Sequence, residues 1–341
     1  MANHLHEAAY TVEIFRAALD AIDPGQAEAA QALGMTPPVA MRVVLLPQAW
    51  RITIPPLGLS GPKETWCIYS RSRESMRYIS RRAHSQEDAM IKLVAAVRRR
   101  PGMTHAEYAD YVREVHGGIA LANKLTVVKY VQNHVFDSAY GAIGDTGYQV
   151  TLPRDSVTEL YFENFETMAQ TFTDPYTRDV VGPDGVNFSD LPAALSLLVE
   201  EKAVEVPQPG PGAVKVLYFL KAAEGLEPEV FRQSWLRAHE DVLADPSGPA
   251  SYLRGCEWNP ALPGGGMDEH FGGSGQPAYE AYAALWFDDG EAVAGIRAYE
   301  EALRGHAEKH GAFHQPSLSF FLLTREIVVF DDTPTEGGAA A

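Results

Sequence analysis

Two histidines have the strongest claim on chemistry. His116 closes the stretch Tyr108-Ala109-Asp110-Tyr111-Val112-Arg113-Glu114-Val115-His116, and His239 closes Phe231-Arg232-Gln233-Ser234-Trp235-Leu236-Arg237-Ala238-His239. They lie 123 positions apart, as do Lys92 and Lys215 in the apolar runs upstream of each. Strand, turn and helix therefore recur without a gap, which marks an internal duplication. Imidazole exchanges protons near neutral pH, so a recurring histidine suits enolisation, decarboxylation, isomerisation or aldol-type cyclisation. A structural alternative stands beside this: each histidine caps its helix, where the negative end of the dipole favours a cation.

The elements that must carry these residues follow from periodicity. Residues 91–98 form an apolar, β-branched strand, and Arg99-Arg100-Pro101-Gly102 turns it. Thr104 and Glu107 make a capping box, and Tyr108, Tyr111, Val112 and Val115 fall on one helical face, with His116 at its margin and Gly117-Gly118 as the stop. Strands are expected at 126–135, 157–163 and 194–200, a helix at 166–173, and irregular chain through Pro175 and Pro183. The order βαββαβ is that of a ferredoxin-like sheet. The second copy repeats it, with strands at 214–221, 251–257, 279–287 and 317–330, a helix opened by Pro228, and a long helix over 291–310.

On strand 126–135, Tyr130, Gln132 and His134 share one face and Asn133 takes the other. If the first set faces the sheet's interior, it joins Tyr161 and Glu159 in lining a pocket for a phenolic or enolate oxygen. The competing reading is a solvated strand face. His306, His310 and His314 recur every four residues, a spacing that can chelate a metal. Gly311 ends the helix before His314 and no third ligand is identifiable, so the run is read as an exposed helix end and no metal is assigned. The Gly-rich loop at 263–275 contains no lysine and leads into a strand, which is unlike a phosphate cradle.

The pieces Ile91 to Leu93, Arg99 to Thr104, Tyr108 to Gly117, and Tyr130 to His134 resemble the EthD family of the dimeric α/β-barrel superfamily. The resemblance covers roughly residues 90–330 as two tandem copies. It implies an α+β fold, tandem ferredoxin-like βαββαβ domains packed as an intramolecular dimeric α/β barrel. The first half departs by placing Val112 where the family often has tryptophan. The second keeps Trp235 but has Ser234 in place of Tyr111. Counted from Tyr252 aligned with Tyr130, it also has Gly255-Cys256 in place of Asn133-His134.

Composition bounds the rest. The chain has 341 residues, 46% hydrophobic and 21% charged, with a formal net charge of −17 that argues against nucleic acid and anionic lipid as partners. Two cysteines, Cys67 and Cys256, show no CxxC spacing, and no apolar run reaches membrane-spanning length, which fits the cytoplasm. Residues 1–89 have no later counterpart and are expected to be a poorly ordered extension, with Met90 a candidate native start. Domains are placed at 90–203 and 214–331, separated by a Pro/Gly linker at 204–213 and followed by a tail at 332–341.

These readings converge on a cofactor-free lyase or isomerase for a small aromatic or polyketide-like compound, as a monomeric barrel or a homo-oligomer of barrels. The catalytic candidates are His116, His239 and His134. Substrate contacts are assigned to Tyr108, Tyr111, Tyr130, Asn133, Tyr161 and Trp235. The alternatives are a cofactor-free monooxygenase of phenolic substrates, a haem-binding barrel, and a non-catalytic ligand-binding accessory protein.

Overall fold

Strands rich in β-branched and aromatic residues alternate between two faces, and that alternation lays out the molecule. The computed structural model describes residues 90–145, 152–262 and 278–333. All belong to the compact unit Ser75–Ala341; a second unit, Met1–Glu74, the expected extension at 1–89, the Gly-rich loop and most of the tail lie outside the described residues. The first half comprises β1 (Ile91–Val97), α1 (His105–Asp110), a π-helical turn (Tyr111–His116), α2 (Gly117–Ala122), β2 (Lys129–Tyr140) and β3 (Ser156–Phe162). It continues through α3 (Phe165–Thr173), a second π-helical turn (Thr177–Val181), α4 (Gly182–Phe188), β4 (Leu195–Glu200) and β5 (Lys202–Val204). The second half comprises β6 (Val214–Leu220), α5 (Pro228–Leu243), β7 (Leu253–Pro260), β8 (Ala281–Phe287), α6 (Ala292–His310) and β9 (Phe320–Asp331).

The strand order is β4-β1-β3-β2-β9-β6-β8-β7-β5. Each half thus has the fourth-first-third-second order of a ferredoxin-like unit. β2 pairs antiparallel with β9 along one seam, while β5 pairs with β7 and Val199 bridges Ala261 along the other. Because β5 follows directly on β4, the nine strands curl into a nearly closed antiparallel barrel, the expected intramolecular α/β barrel. Val94, Ala96, Leu197, Phe219 and Leu322 point into it, and Val216, Tyr218, Phe287, Trp235 and Tyr299 pack between sheet and helices.

The barrel interior also holds charge. Lys92 and Lys215, equivalent on β1 and β6, both approach Glu159, at 3.8 and 2.6 Å. Tyr282 and Asn133 donate hydrogen bonds to the same carboxylate, at 2.8 and 3.1 Å. Glu257 and Glu326 supply Lys92 and Lys215 with further partners at 3.0 and 2.6 Å.

Register revises one expected correspondence. Asn133 pairs with Val157, which pairs with Ala96; Asn259 pairs with Tyr282, which pairs with Phe219. Ala96 and Phe219 each lie four residues after the equivalent lysines, so Asn259 is the counterpart of Asn133, and Gly255-Cys256 is not. By the same register Cys256, Trp258 and Pro260 replace Tyr130, Gln132 and His134.

Other expectations change locally. Gly117-Gly118 does not stop the first helix, which runs on to Ala122. A Cβ on Gly117 would meet Gln132 Nε2 and the Val112 carbonyl oxygen at 3.3 Å each, so glycine serves close approach to β2 and not termination. The chain through Pro175 and Pro183 is helical, and the stretch read as a linker opens in β5.

Candidate active site

The capping box starts α1 as expected: the Glu107 N–H donates to Thr104 Oγ1 at 3.2 Å and the Thr104 N–H to the Glu107 carboxylate at 2.8 Å. At Tyr111 the helix widens. The Gly117 N–H donates to the Val112 carbonyl, five residues back, which defines a π turn. In an α-helix, residues five apart diverge by about 140°. A π turn stacks them, so Tyr111 and His116 reach the same side. The inserted residue also shifts the buried face, which is why Val115, expected inside, is exposed and His116 takes its place half-buried.

Both side chains meet Asp184 on α4. His116 Nδ1 lies 2.8 Å from Asp184 Oδ2, and the Tyr111 hydroxyl donates to Oδ1 at 2.6 Å. Asn187 Nδ2 donates to Oδ1 at 3.0 Å. Asp184 is only 7% exposed. Burial alone would push its pKa up, yet the donors from Tyr111, Asn187 and His116 hold the carboxyl below its ordinary range. Donation to Asp184 in turn raises the pKa of the Tyr111 phenol. An anionic acceptor at Nδ1 places the proton there, which leaves Nε2 as the nitrogen able to take a proton. Phe188 packs against the rings of His116 and Tyr111, with centroids at 4.7 and 5.7 Å, and Met103 and Val97 join this apolar cluster. The Arg100 N–H donates to the Phe188 carbonyl at 2.8 Å and ties the end of α4 to the turn after β1.

The remaining sequence candidates separate. Gln132 Nε2 donates to the Val112 carbonyl at 3.0 Å and to the Tyr130 hydroxyl at 2.8 Å, and its Oε1 lies 3.0 Å from His134 Nε2. This row faces the helices. Tyr130 is buried, which pushes its phenol up to about 12. His134 has its pKa lowered by burial, then by Arg113 and His105. Tyr108 is buried against Ser156, hydroxyl to hydroxyl at 2.6 Å. Asn133, Glu159 and Tyr161 face the barrel interior, so strand alternation divides the pocket expected to join Tyr130, Gln132 and His134 with Tyr161 and Glu159.

In the second half, His239 is fully buried with Trp235, Trp258 and Tyr299 around it at ring distances of 4.7, 4.9 and 5.3 Å. The Tyr299 hydroxyl bonds its ring, and burial holds its pKa well below the ordinary histidine value, so it is neutral. Neither His116 nor His239 caps a helix end; each lies within a helical run.

Asp184 and Asn187 were missing from the sequence candidates. Pro183-Asp184-Gly185 has the look of a turn, and only the i, i+3, i+4 spacing of Asp184, Asn187 and Phe188 signals a helix that presents all three on one side.

Comparison with known proteins adds two families at different places in the chain. Residues 4–62 match a binding-protein-dependent transport system inner membrane component. The chain is 54% identical over 54 residues to the arginine transport system permease protein ArgU of Corynebacterium glutamicum, 16% of this chain and 17% of that protein. It is likewise 54% identical over 54 residues to a probable amino-acid permease, YxeN, of Bacillus subtilis, covering 16% and 24%. The chain thus spans less than a quarter of these relatives. Among the described residues no helix is long and apolar enough to cross a membrane. Solved structures that align with the chain include an anthrone oxidase-like protein, at 10% identity, TM-score 0.44, over 73% of this chain and 96% of that one. A chlorite dismutase from Candidatus Nitrospira defluvii aligns at 8% identity, TM-score 0.38, over 72% and 94%. Tyr111, His116, Asp184 and Asn187 all fall within residues 100–192, the stretch that matches the EthD domain family.

Proposed function

We propose that the first half is a general acid/base site that moves a proton on a small, largely apolar aromatic or polyketide-like molecule, as in an isomerisation, decarboxylation or cyclisation. The observation that carries this is the 2.8 Å contact of His116 Nδ1 with the buried Asp184, whose other oxygen takes Tyr111 at 2.6 Å. A carboxylate behind an imidazole fixes its tautomer and stabilises the cation that forms when Nε2 accepts a proton. In an isomerisation the proton taken from one carbon returns to another, in an aldol-type cyclisation it ends on the new hydroxyl oxygen, and in a decarboxylation the acid's own proton passes through the imidazole to the carbon that loses carbon dioxide, so no electron acceptor enters the balance. Phe188 and Met103 give the dyad apolar, aromatic surroundings, which suit such a compound. His116 is the catalytic residue; Asp184 positions it, and Tyr111 and Asn187 position Asp184.

The test is turnover of β-keto and phenolic acids, followed by ultraviolet absorbance and carbon dioxide release with oxygen uptake recorded in parallel. His116→Ala should lower turnover by roughly 10²–10⁴-fold. Unchanged turnover in that variant overturns the assignment, and stoichiometric oxygen uptake replaces it with a monooxygenase.

A further inference from the structure

α5 and α6 lie side by side on the helical layer of the second half, and three potential metal ligands converge near their C-terminal ends. Asp241 stands on α5, and His306 and His310, one turn apart, stand on α6. One candidate ligand atom from each residue lies within 4.8 Å of those of the other two. His306 is buried at 8% exposure, and its Nδ1 lies 2.9 Å from Asp241 Oδ2. The His310 ring sits 4.5 Å from that of His306, tilted by 33°. His314, the third member of the sequence run, lies past the end of α6 and is buried elsewhere in the fold without joining the group. The missing third ligand is therefore supplied by another helix, which sequence spacing alone does not reveal.

We propose that Asp241, His306 and His310 bind one divalent transition-metal cation of the zinc and cobalt class, which clasps the end of α6 to α5. Two imidazoles at i and i+4 with one carboxylate form a donor set suited to such ions. Ligands about 2.1 Å from a metal stand roughly 3.0–3.4 Å from one another, so the 2.9 Å between His306 and Asp241 already has the right scale. Asp241 and His310 are exposed and free to rotate inward, while buried His306 sets the anchor point. A simple ion pair needs one histidine only; the second imidazole, with its ring 4.5 Å from the first, brings a third ligand atom to the same point. Three protein ligands leave a position for water. The formal net charge of −17 favours cation capture from solution.

The experiment uses the full chain without an affinity tag, stripped with chelator and titrated with Zn²⁺ by calorimetry and with Co²⁺ by visible absorption. One equivalent should bind, and zinc should raise the thermal midpoint. Asp241→Asn and His310→Ala, both exposed and compatible with folding, should weaken binding by at least about tenfold, the cost of disturbing even the outer partners of a metal ligand, and should abolish the thermal shift. No binding to the parent protein overturns the proposal. Binding of equal strength in both variants overturns it as well, because the metal is then held by other side chains. The readout is metal binding and not turnover, so it stands apart from the His116 assignment.

Discussion

His116 and His239 hold the same place in the two halves and meet opposite surroundings. His116 faces the Asp184 carboxylate at 2.8 Å, while His239 is sealed among Trp235, Trp258 and Tyr299. Two substitutions go with the difference. Ser234 stands where the first half has Tyr111, and Trp258 stands where it has Gln132, so the second copy fills with indole the space beside its histidine. Equivalent positions of the two halves carry a histidine each, and packing seals one of them fully from solvent.

Buried neutral histidines make the fold sensitive to mild acid. His314 is pushed down to about 4 by burial, and His239 also lies well below the ordinary value of 6.5. Above pH 6.5 both are neutral folded or unfolded. Below it the unfolded chain takes up protons that the folded chain refuses, so stability falls as pH drops from 6.5 toward 4. His314 alone accounts for on the order of 3 kcal/mol across that window. Urea unfolding at pH 7.5, 6 and 5 checks this; a flat midpoint contradicts it.

Glu159 is the hub of the barrel's charge. Burial opposes its ionisation, but Lys215 and Lys92 outweigh burial and lower its pKa to about 2. Its stabilisation is complete above pH 4.5 and is lost as pH falls toward 2. Glu159→Gln leaves two buried ammonium groups short of a counter-charge and should cost about 3 kcal/mol, because breaking a buried pair exceeds the worth of its hydrogen bonds. Chemical denaturation at neutral pH measures it.

Tyr111 and Asp184 should be energetically coupled. A hydrogen bond to a charged acceptor contributes about 1.5–3 kcal/mol. Tyr111→Phe and Asp184→Asn should each destabilise by an amount in or below that range, and the double variant should cost less than their sum. Because the Asp184 pKa is depressed, this contribution is present above the ordinary carboxylate range and fades as pH falls through it. A double-mutant cycle by urea unfolding at pH 7 and pH 3.5 reads both effects; strict additivity counts against the coupling.

Gly295 on α6 leaves no room for a methyl group. A Cβ there would lie 2.7 Å from Phe287 Cδ1 and 3.0 Å from Tyr252 Cβ. Alanine normally gains about 1 kcal/mol over glycine in a helix. Here the clash is with a buried ring and should outweigh that gain, for a net loss of about 1–3 kcal/mol. Thermal unfolding of Gly295→Ala gives the sign directly.

The chain's own pattern determined the βαββαβ order within each half, the capping box at Thr104 and the candidacy of His116, because these depend on periodicity and on residues close in sequence; α4 and β5 it did not show. Tertiary structure decided the rest. Asp184 reaches His116 from 68 positions further along the chain, and Asp241 reaches His306 from a separate helix. The π turn that aligns Tyr111 with His116 has no period visible in the sequence, since it is a single-residue insertion into an α-helix. Register, too, was settled only by pairing: the match of Asn133 with Asn259 follows from neighbours on β3 and β8. Local propensity writes the elements. Which side chains meet is set by contacts between elements far apart in the chain.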